Sequence, residues 1–439
     1  MAFLWTTSSL IFITYYAREI LSKRRIVTVT SFIVIMYFIL PIILQYPFVL
    51  SVKNIRTIGT VGYLQSISAV NFAFVIALWG IFWFTMPFIL KVRSSIFINL
   101  ADEMYRSVLL LKQGWVLVAL VIFLLIDSAA LFKVINLPIN RLVLSGGFRG
   151  AMMEHPSLGH LTAIIAALSV YIQAILVYKM IYSRSLRIIW AAAFGTVTFF
   201  GLLLGTRSSA LYGIMLFVVS LYSVKSFNGT IVNPLKSVLF LLSIACVLVI
   251  TAFILGFIRS NAMPSLADLY NKIMFSFFYG NNFSDLRDFS WILGGFNGHF
   301  LFGKSFFSDM LPNLLLPKYF EAWKWPVITR PFDHIDAVGF PGLRPTLFGE
   351  WYLNFGFPGV AIEGFSMGLL ARSIDIYISR MSKVFNERNS VLVALSGFFT
   401  FYISTNFFVS AGFFTVYIVL SLLIFIRMLA ASCRVKNSE

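Results

Sequence analysis

Several arginines stand between the apolar runs of this sequence, where their charge could bind an anionic group. Arg207 lies in Leu204-Gly-Thr-Arg207-Ser-Ser-Ala210, between two runs that nearly abut. A guanidinium at the level of lipid headgroups is suited to a pyrophosphate, because its planar fork donates to two oxygens at once. Arg149, Arg330 and Arg344 are predicted on the same side, so several cations could form one anion site. The alternatives are a solvated charge for each arginine and, for Arg207, a side chain that only extends to the headgroups.

Acidic residues and one histidine are the candidates for a general base. Glu350 and Asn354 are four residues apart, so on a helix they share a face. A carboxylate at the outer mouth of a membrane span could accept the proton of an attacking hydroxyl, with Asn354 binding the same substrate. Glu350 could equally cap the helix N-terminus or pair with an arginine. His334, flanked by Asp333 and Asp336, is the alternative base and a candidate substrate-binding residue.

Other polar residues point to no cofactor. Asp127 and Glu363 are predicted inside apolar runs, where ionisable groups are costly and often functional, and for Glu363 a buried partner and a substrate role both stay open. The four histidines and two cysteines are too scattered for a metal site or a disulfide framework. The stretch 298–305 matches the Walker A pattern, but a P-loop follows a buried strand and works on cytoplasmic ATP. The sequence therefore predicts neither a metal nor a nucleotide.

The chain that must position these residues has the composition of an integral membrane protein. Of 439 residues, 59% are hydrophobic and 12% are charged, about half the charged share of soluble proteins. The apolar runs of roughly 20 residues can cross the hydrocarbon layer as helices. The net charge of +17 does not indicate nucleic-acid binding, because the basic residues cluster between apolar runs, as membrane insertion requires. We predict an all-α, polytopic fold of about eleven spans, near 4–21, 27–50, 71–90, 114–135, 159–182, 188–205, 209–225, 236–258, 352–375, 390–409 and 412–429.

The distribution of lysine and arginine predicts the orientation of these spans. Alternate connections hold 14 basic residues in one set and 5 in the other. Since basic connections stay in the cytoplasm, the richer set is predicted inside, with the N-terminus outside and the C-terminus cytoplasmic. The richer set comprises Lys23, Arg24, Arg25, Lys91, Arg93, Arg106, Lys112, Arg184, Arg187, Lys225, Lys236, Arg380, Lys383 and Arg388, and the poorer set Lys53, Arg56, Arg141, Arg149 and Arg207.

One connection is much longer than the others. The sequence predicts a bundle of about eight spans at 1–258, an extracytoplasmic loop at 259–351 and about three spans at 352–439. Within the loop, Leu286, Phe289 and Leu293 share one face and an acidic first turn precedes them, which predicts a short amphipathic helix on the membrane or on the bundle. The loop's aromatic residues could stack on sugar faces or serve as interfacial anchors; they are Trp291, Phe296, Trp323 and Trp325. A loop of this length is usually functional.

Three segments resemble the Wzy-type polymerases of O-antigen and related polysaccharides. They are Gly205-Thr-Arg207-Ser-Ser-Ala210; Leu301-Phe-Gly303-Lys304-Ser305 followed by Leu311-Pro-Asn-Leu-Leu-Leu-Pro317; and Pro345-Thr-Leu-Phe-Gly349-Glu350-Trp-Tyr-Leu-Asn354-Phe-Gly356. The last is the most specific. Together they cover roughly the C-terminal half of the chain, while the N-terminal spans match only in hydropathy.

The resemblance implies a glycosyltransferase of the bacterial cytoplasmic (inner) membrane that contributes to lipopolysaccharide. Such an enzyme transfers a growing glycan from undecaprenyl pyrophosphate to the terminal sugar of a new lipid-linked repeat unit, without metal or nucleotide. Its expected partners are the lipid-linked oligosaccharides, membrane lipids, a chain-length regulator and a flippase. The family's dependence on extracytoplasmic arginines carries over to Arg207 and Arg344. Related O-antigen ligases have a functional histidine near the position of Arg344-Pro-Thr346, and its absence here favours a polymerase.

Other functional classes stay open at this stage. A ligase of the same superfamily is the nearest alternative. A lipid-linked-sugar flippase or secondary transporter would have inverted repeats and polar residues through the membrane midplane, whereas the polar residues here concentrate in one outer loop. A noncatalytic assembly scaffold is the third alternative.

Overall fold

A computed structural model describes the fold over most of the predicted helical regions. The residues described are 1–21, 25–51, 54–55, 63–64, 67–111, 114, 117–118, 120–122, 125, 156–183, 186–203, 207–259, 265, 267, 270, 285–296, 298–303 and 346–408.

The described residues form an all-α fold. The helices, in chain order, are α1 (Ala2–Leu21), α2 (Val29–Ile33), a π-helix (Val34–Ile43), α3 (Gln45–Ser51), α4 (Ile67–Ile89), α5 (Ser95–Leu111), α6 (Pro156–Tyr182), α7 (Arg187–Leu203), α8 (Arg207–Phe227), α9 (Pro234–Arg259), α10 (Asp285–Gly295), α11 (Thr346–Val384) and α12 (Glu387–Phe408). The exception is a two-residue antiparallel pair, β1 (Asn54–Ile55) and β2 (Tyr63–Leu64), with Asn54 opposite Leu64.

The helices follow the predicted apolar runs closely. Nine of the eleven predicted runs coincide with helical segments of the described residues. Of the other two, 114–135 lies partly and 412–429 wholly outside the described part of the chain. Within that part, Val29–Leu50 and Ile67–Ile89 are long and apolar enough to cross a membrane, judged by length and composition. The all-α class is therefore confirmed, and the number of eleven spans stays a prediction.

One helix lies where the hydropathy pattern predicts only a connection. Helix α5 carries Asp102, Glu103 and Arg106 on one side, and Arg106 Nη2 lies 3.0 Å from Asp102 Oδ2. Such pairs, three and four residues apart, add modest helix stability. Hydropathy misses α5 because the signal for a span is apolar length, and a charged amphipathic helix does not have it.

Helices α4 and α11 pack closely along glycines. A Cβ at Gly364 would clash with the carbonyl oxygen of Gly80, and a Cβ at Gly368 would clash with that of Phe84. Small residues allow two backbones to approach in this way, which is the usual basis of close helix packing in membranes. The successive contacts show that α4 runs parallel to the second part of α11.

Helix α11 is broken at Gly356, where φ is 66° and ψ is −154°. Only glycine adopts this conformation without strain, and Pro358 removes a further backbone donor. We call residues 346–355 the first limb and residues 357–384 the second limb.

The two limbs lie side by side as a hairpin. The Phe348 ring and the Gly364 backbone both approach Gly80, although a straight helix would separate residues 348 and 364 by about 24 Å. A Cβ at Gly359 would lie 2.6 Å from the Trp351 carbonyl oxygen. In a straight helix these two residues would be more than two turns apart. The first limb therefore enters the bundle beside the second limb instead of extending it outward.

Polar contacts join the connections that carry the basic residues, and we call this side of the bundle the basic end. The Asp375 carboxylate accepts hydrogen bonds from the backbone N–H groups of Val29 (2.8 Å) and Thr30 (3.1 Å) at the N-terminus of α2, where the helix dipole favours negative charge. The Ser94 N–H donates to Ser373 Oγ at 2.8 Å. Two further hydrogen bonds at this end join Val27 to Ser226 and Tyr182 to Glu387.

Candidate functional site

The segment 301–303 is bound to the end of the first limb. The break at Gly356 leaves the last carbonyl groups of that limb without the partners that a continuing helix would supply. The Leu353 carbonyl accepts a hydrogen bond from the Leu301 N–H (3.0 Å), and the Asn354 carbonyl accepts one from the Phe302 N–H (3.1 Å). The segment therefore serves as the C-terminal cap of the first limb.

The Asn354 side chain strengthens this junction. Its Oδ1 accepts a hydrogen bond from the Gly303 N–H at 2.9 Å, and its Nδ2 donates to the Glu350 carbonyl at 2.8 Å. Asn354 is fully buried, so both bonds form away from water, where an unmade bond is costly. The structure thus gives Asn354 a structural role, and the predicted contact with substrate stays a prediction.

Two carboxylates lie inside the hairpin. Glu350 on the first limb and Glu363 on the second limb are 1% and 0% exposed. In the described part of the chain, neither carboxylate oxygen of Glu363 has a hydrogen-bond partner. The indole N–H of Trp83, whose Cβ faces Gly364, is also buried without an acceptor among the described residues.

This position differs from the one predicted for Glu350. The sequence predicts Glu350 at the outer mouth of the ninth span, where a substrate could reach it. The structure instead places Glu350 on a separate limb, beside the second limb and at the level of Glu363. The physical reason is the break at Gly356, which turns the chain back so that the residues before it lie inside the bundle.

Helix α10 covers the first limb beside Glu350. A Cβ at Gly349 would lie 2.6 Å from the Phe289 ring, so the ring packs directly on the limb backbone. The polar side of α10 is buried too, because Arg287 (4% exposed) donates to Asp288 Oδ1 (2% exposed) through Nε at 2.9 Å and Nη2 at 2.8 Å. The predicted short helix is confirmed, and α10 packs on the bundle, which is one of the two positions predicted for it.

Aromatic rings surround the apex of the hairpin. Tyr352 lies 5.5 Å from Phe357 and 5.7 Å from Phe72, measured between ring centroids. Phe296, one of the predicted sugar-stacking residues, lies 5.9 Å from Phe300 and 6.4 Å from Tyr352. Phe296 therefore packs among neighbouring rings, while Trp323 and Trp325 lie outside the described residues and the side chain of Trp291 is not described.

The structure brings some predicted site residues together and leaves others untested. Glu350 and Asn354 lie one turn apart on the first limb, and 301–303 contacts that limb, so two of the three segments that carry the family resemblance meet. Arg207 begins α8, and its side chain is not described. The remaining predicted site residues lie outside the described part of the chain, namely Arg149, Arg330, His334 and Arg344.

The chemistry available at this site is that of carboxylates in a low-dielectric interior. Among the residues described, no three His, Cys, Asp or Glu side chains lie together in a way that could bind a metal ion. The described part of the site therefore contains acid–base groups. A cation site for pyrophosphate would have to be formed by the predicted arginines, whose side chains are not among those described.

Sequence reasoning missed two features of the site. The Arg287–Asp288 pair reads as the solvated side of an amphipathic helix, and no sequence signal marks it as buried. The turn at Gly356 had a signal in Gly356-Phe-Pro358-Gly359, since glycine and proline at this spacing commonly interrupt a helix.

Comparison with known proteins gives no match, whether to a family model, to a curated protein or to a solved structure.

Proposed function

We propose that the chain polymerises lipid-linked oligosaccharide repeat units on the outer face of the bacterial cytoplasmic membrane. The observation that carries this proposal is the junction between 301–303 and the first limb, because two separate segments that resemble the Wzy-type polymerases are hydrogen-bonded to each other. Segments that contribute to one site are expected to meet in space. A chance resemblance of two short segments does not require this contact.

The proposed reaction transfers a glycan from undecaprenyl pyrophosphate to a sugar hydroxyl. The acceptor oxygen forms a bond to the anomeric carbon, the bond from that carbon to the pyrophosphate oxygen breaks, and the hydroxyl proton passes to a base. Arg207 and Arg344, with Arg149 and Arg330, would stabilise the leaving pyrophosphate, which needs charge stabilisation more than protonation. Glu350 is the proposed base.

Glu350 is buried beneath α10 and beside the segment 301–303. An acceptor sugar therefore reaches its carboxylate only when one of these coverings moves aside. Segments that open to admit substrate and then exclude water are common in enzymes. If Glu350 instead only supports the hairpin, His334 is the next candidate for the base.

The proposal includes a multispan topology. The N-terminus would lie outside and the C-terminus inside, with the basic end of the bundle in the cytoplasm. The hairpin apex and the 259–351 loop would then face the outside, where the lipid-linked donor supplies the energy and no nucleotide is needed. A chain-length regulator and a flippase are the expected protein partners.

The decisive experiment uses the purified full chain and synthetic lipid-pyrophosphate repeat units, without nucleotide or added metal. We expect a ladder of products that differ by one repeat unit. The control is Arg388→Ala, an exposed arginine at the basic end, which should leave the ladder unchanged. Folded protein that binds the repeat units but makes no ladder would refute the polymerase.

A lipid-linked-sugar transporter is the second candidate, and the broken helix favours it. Discontinuous helices with buried ionisable residues near the middle of the bundle are typical of secondary transporters, and α11 has a break at Gly356 with Glu350 and Glu363 beside it. Reconstitution into vesicles with a fluorescent lipid-linked saccharide separates the two functions. Movement of the lipid across the bilayer without product formation would favour transport.

A further inference from the structure

The connection between α4 and α5, at the basic end of the bundle, presents two basic side chains. Lys91 and Arg93 lie in this connection, and both are exposed. The connection is held against the second limb of α11, because the Ser94 N–H donates a hydrogen bond to Ser373 Oγ at 2.8 Å. The two charges therefore have a defined position beside that limb.

A third basic side chain contacts the same part of the chain from the second limb. The guanidinium carbon of Arg372 lies 5.9 Å from the centroid of the Phe88 ring, and its Nη1 lies 3.5 Å from the Phe88 carbonyl oxygen. Since Ser373 is the next residue, both ends of the segment 88–94 contact one place on α11, which brings the two exposed cations near Arg372. The Arg372 Nε is buried without an acceptor among the described residues. A buried donor without an acceptor is costly, so a ligand oxygen would stabilise this arginine.

We call these three residues the α4–α5 basic cluster; they are Lys91, Arg93 and Arg372. In the part of the chain that the structure describes, the ion pairs between side chains involve none of the three. Nearby acids have other partners: Asp375 accepts hydrogen bonds from the N-terminus of α2, and Asp102 lies beside Arg106. The C-terminus of α4 contributes only about half a negative charge. Three cations exceed it, so the cluster attracts anions.

Apolar side chains on both sides of the connection are exposed as well. Ile89 at the end of α4 is 66% exposed, and Ile96 in the first turn of α5 is 73% exposed. Exposed apolar groups of this kind mark an interaction surface. At a membrane surface the apolar side chains enter the hydrocarbon, while neighbouring basic residues stay at the level of the headgroups. The combination favours a lipid over a soluble anion.

We propose that the α4–α5 basic cluster binds the headgroup phosphate of an anionic phospholipid in the cytoplasmic leaflet, which carries the negative surface charge of the membrane. Arg372 donates to the phosphate oxygens, since its planar fork fits them, and Lys91 and Arg93 neutralise the remaining charge. Ile89 and Ile96 then contact the acyl chains. The inference rests on the proposed membrane topology and not on glycosyl transfer, so a chain that makes no product ladder should still bind this lipid.

The test is native mass spectrometry of the purified full chain in a neutral detergent, because this method counts the lipid molecules that stay bound. We expect the chain to retain one phosphatidylglycerol at concentrations at which it retains no phosphatidylcholine, since each basic residue near an anionic headgroup contributes roughly fivefold in binding. An excess of inorganic phosphate should not displace the lipid. Equal retention of the two lipids, or displacement by inorganic phosphate, would overturn the lipid site.

Two variants test the residues of the cluster. Lys91→Gln combined with Arg93→Gln changes only exposed side chains and should weaken phosphatidylglycerol binding by at least fivefold. Arg372→Lys keeps the charge but loses the fork, so it should weaken binding too; unchanged binding in either variant would overturn the assignment. The matched control is Lys236→Gln combined with Arg388→Gln, which removes two exposed charges elsewhere at the basic end and should leave binding unchanged. A control that loses as much binding as the cluster variant would show a general attraction to the basic end and would refute a specific site.

Discussion

The contact between Gly364 and Gly80 makes a sharp prediction about stability. Alanine at Gly364 would place a methyl group against the Gly80 carbonyl oxygen, and that oxygen belongs to the backbone of α4. A flexible side chain could rotate away, whereas a helix backbone must move as a whole. We therefore expect Gly364→Ala to separate α4 from the second limb and to destabilise the chain.

The expected magnitude follows from two opposing effects. Overpacking a close contact typically costs about 1–3 kcal/mol, and replacing glycine by alanine within a helix recovers roughly 0.5–1 kcal/mol. The net loss is then on the order of 1–2 kcal/mol. Gly195 in α7 is the matched control, because nothing lies within 4 Å of the position its Cβ would take. Gly195→Ala should gain about 0.5–1 kcal/mol.

The two variants and the unmodified chain should be compared by unfolding in the same detergent, with loss of tertiary fluorescence as the readout. The prediction is a difference in sign, which does not depend on the absolute scale of the measurement. If Gly364→Ala proved as stable as Gly195→Ala, the close approach of α4 and α11 would be refuted. The hairpin would then lose its main support, because the contacts of Phe348 and Gly364 with Gly80 are what place the two limbs side by side.

Four further predictions concern the proposed site and its orientation. Arg207→Ala should abolish the product ladder while folded protein remains in the membrane. Arg207→Lys should retain only part of the activity, since a point charge cannot reproduce a bidentate fork. Full activity of the alanine variant would instead favour a side chain that only extends to the headgroups. Glu350→Gln should slow glycosyl transfer by roughly 10²–10⁴ with nearly unchanged substrate binding, and weak binding with normal turnover at saturation would show that Glu350 only positions an arginine. Asn354→Ala removes two buried hydrogen bonds and should lower the free energy of unfolding by about 2–4 kcal/mol. The control Asn386→Ala, at the exposed cap of α12, should lower it by about 1 kcal/mol. Equal losses would contradict the structural role of Asn354. A cysteine at Asn313, in a chain without its two native cysteines, should react with an impermeant thiol reagent in intact spheroplasts, and labelling only after permeabilisation would reverse the proposed orientation.

Much of the helical architecture is predictable from hydropathy. Apolar length alone identifies the helices from α1 to α4 and from α6 to α9, because a segment without water must satisfy its own backbone hydrogen bonds. The face formed by Leu286 and Phe289 likewise predicts α10, since three- and four-residue spacing places apolar side chains together. These features are local, and the sequence carries them locally.

The hairpin is not predictable in the same way. Hydropathy treats 352–375 as one span because a single glycine does not lower the average over such a window. Whether the chain continues or turns back at Gly356 depends on the packing of Phe348 and Gly364 against α4, and neither contact is visible in the sequence. The burial of Arg287 also depends on packing, because its partner Asp288 allows a charged side chain to enter the interior.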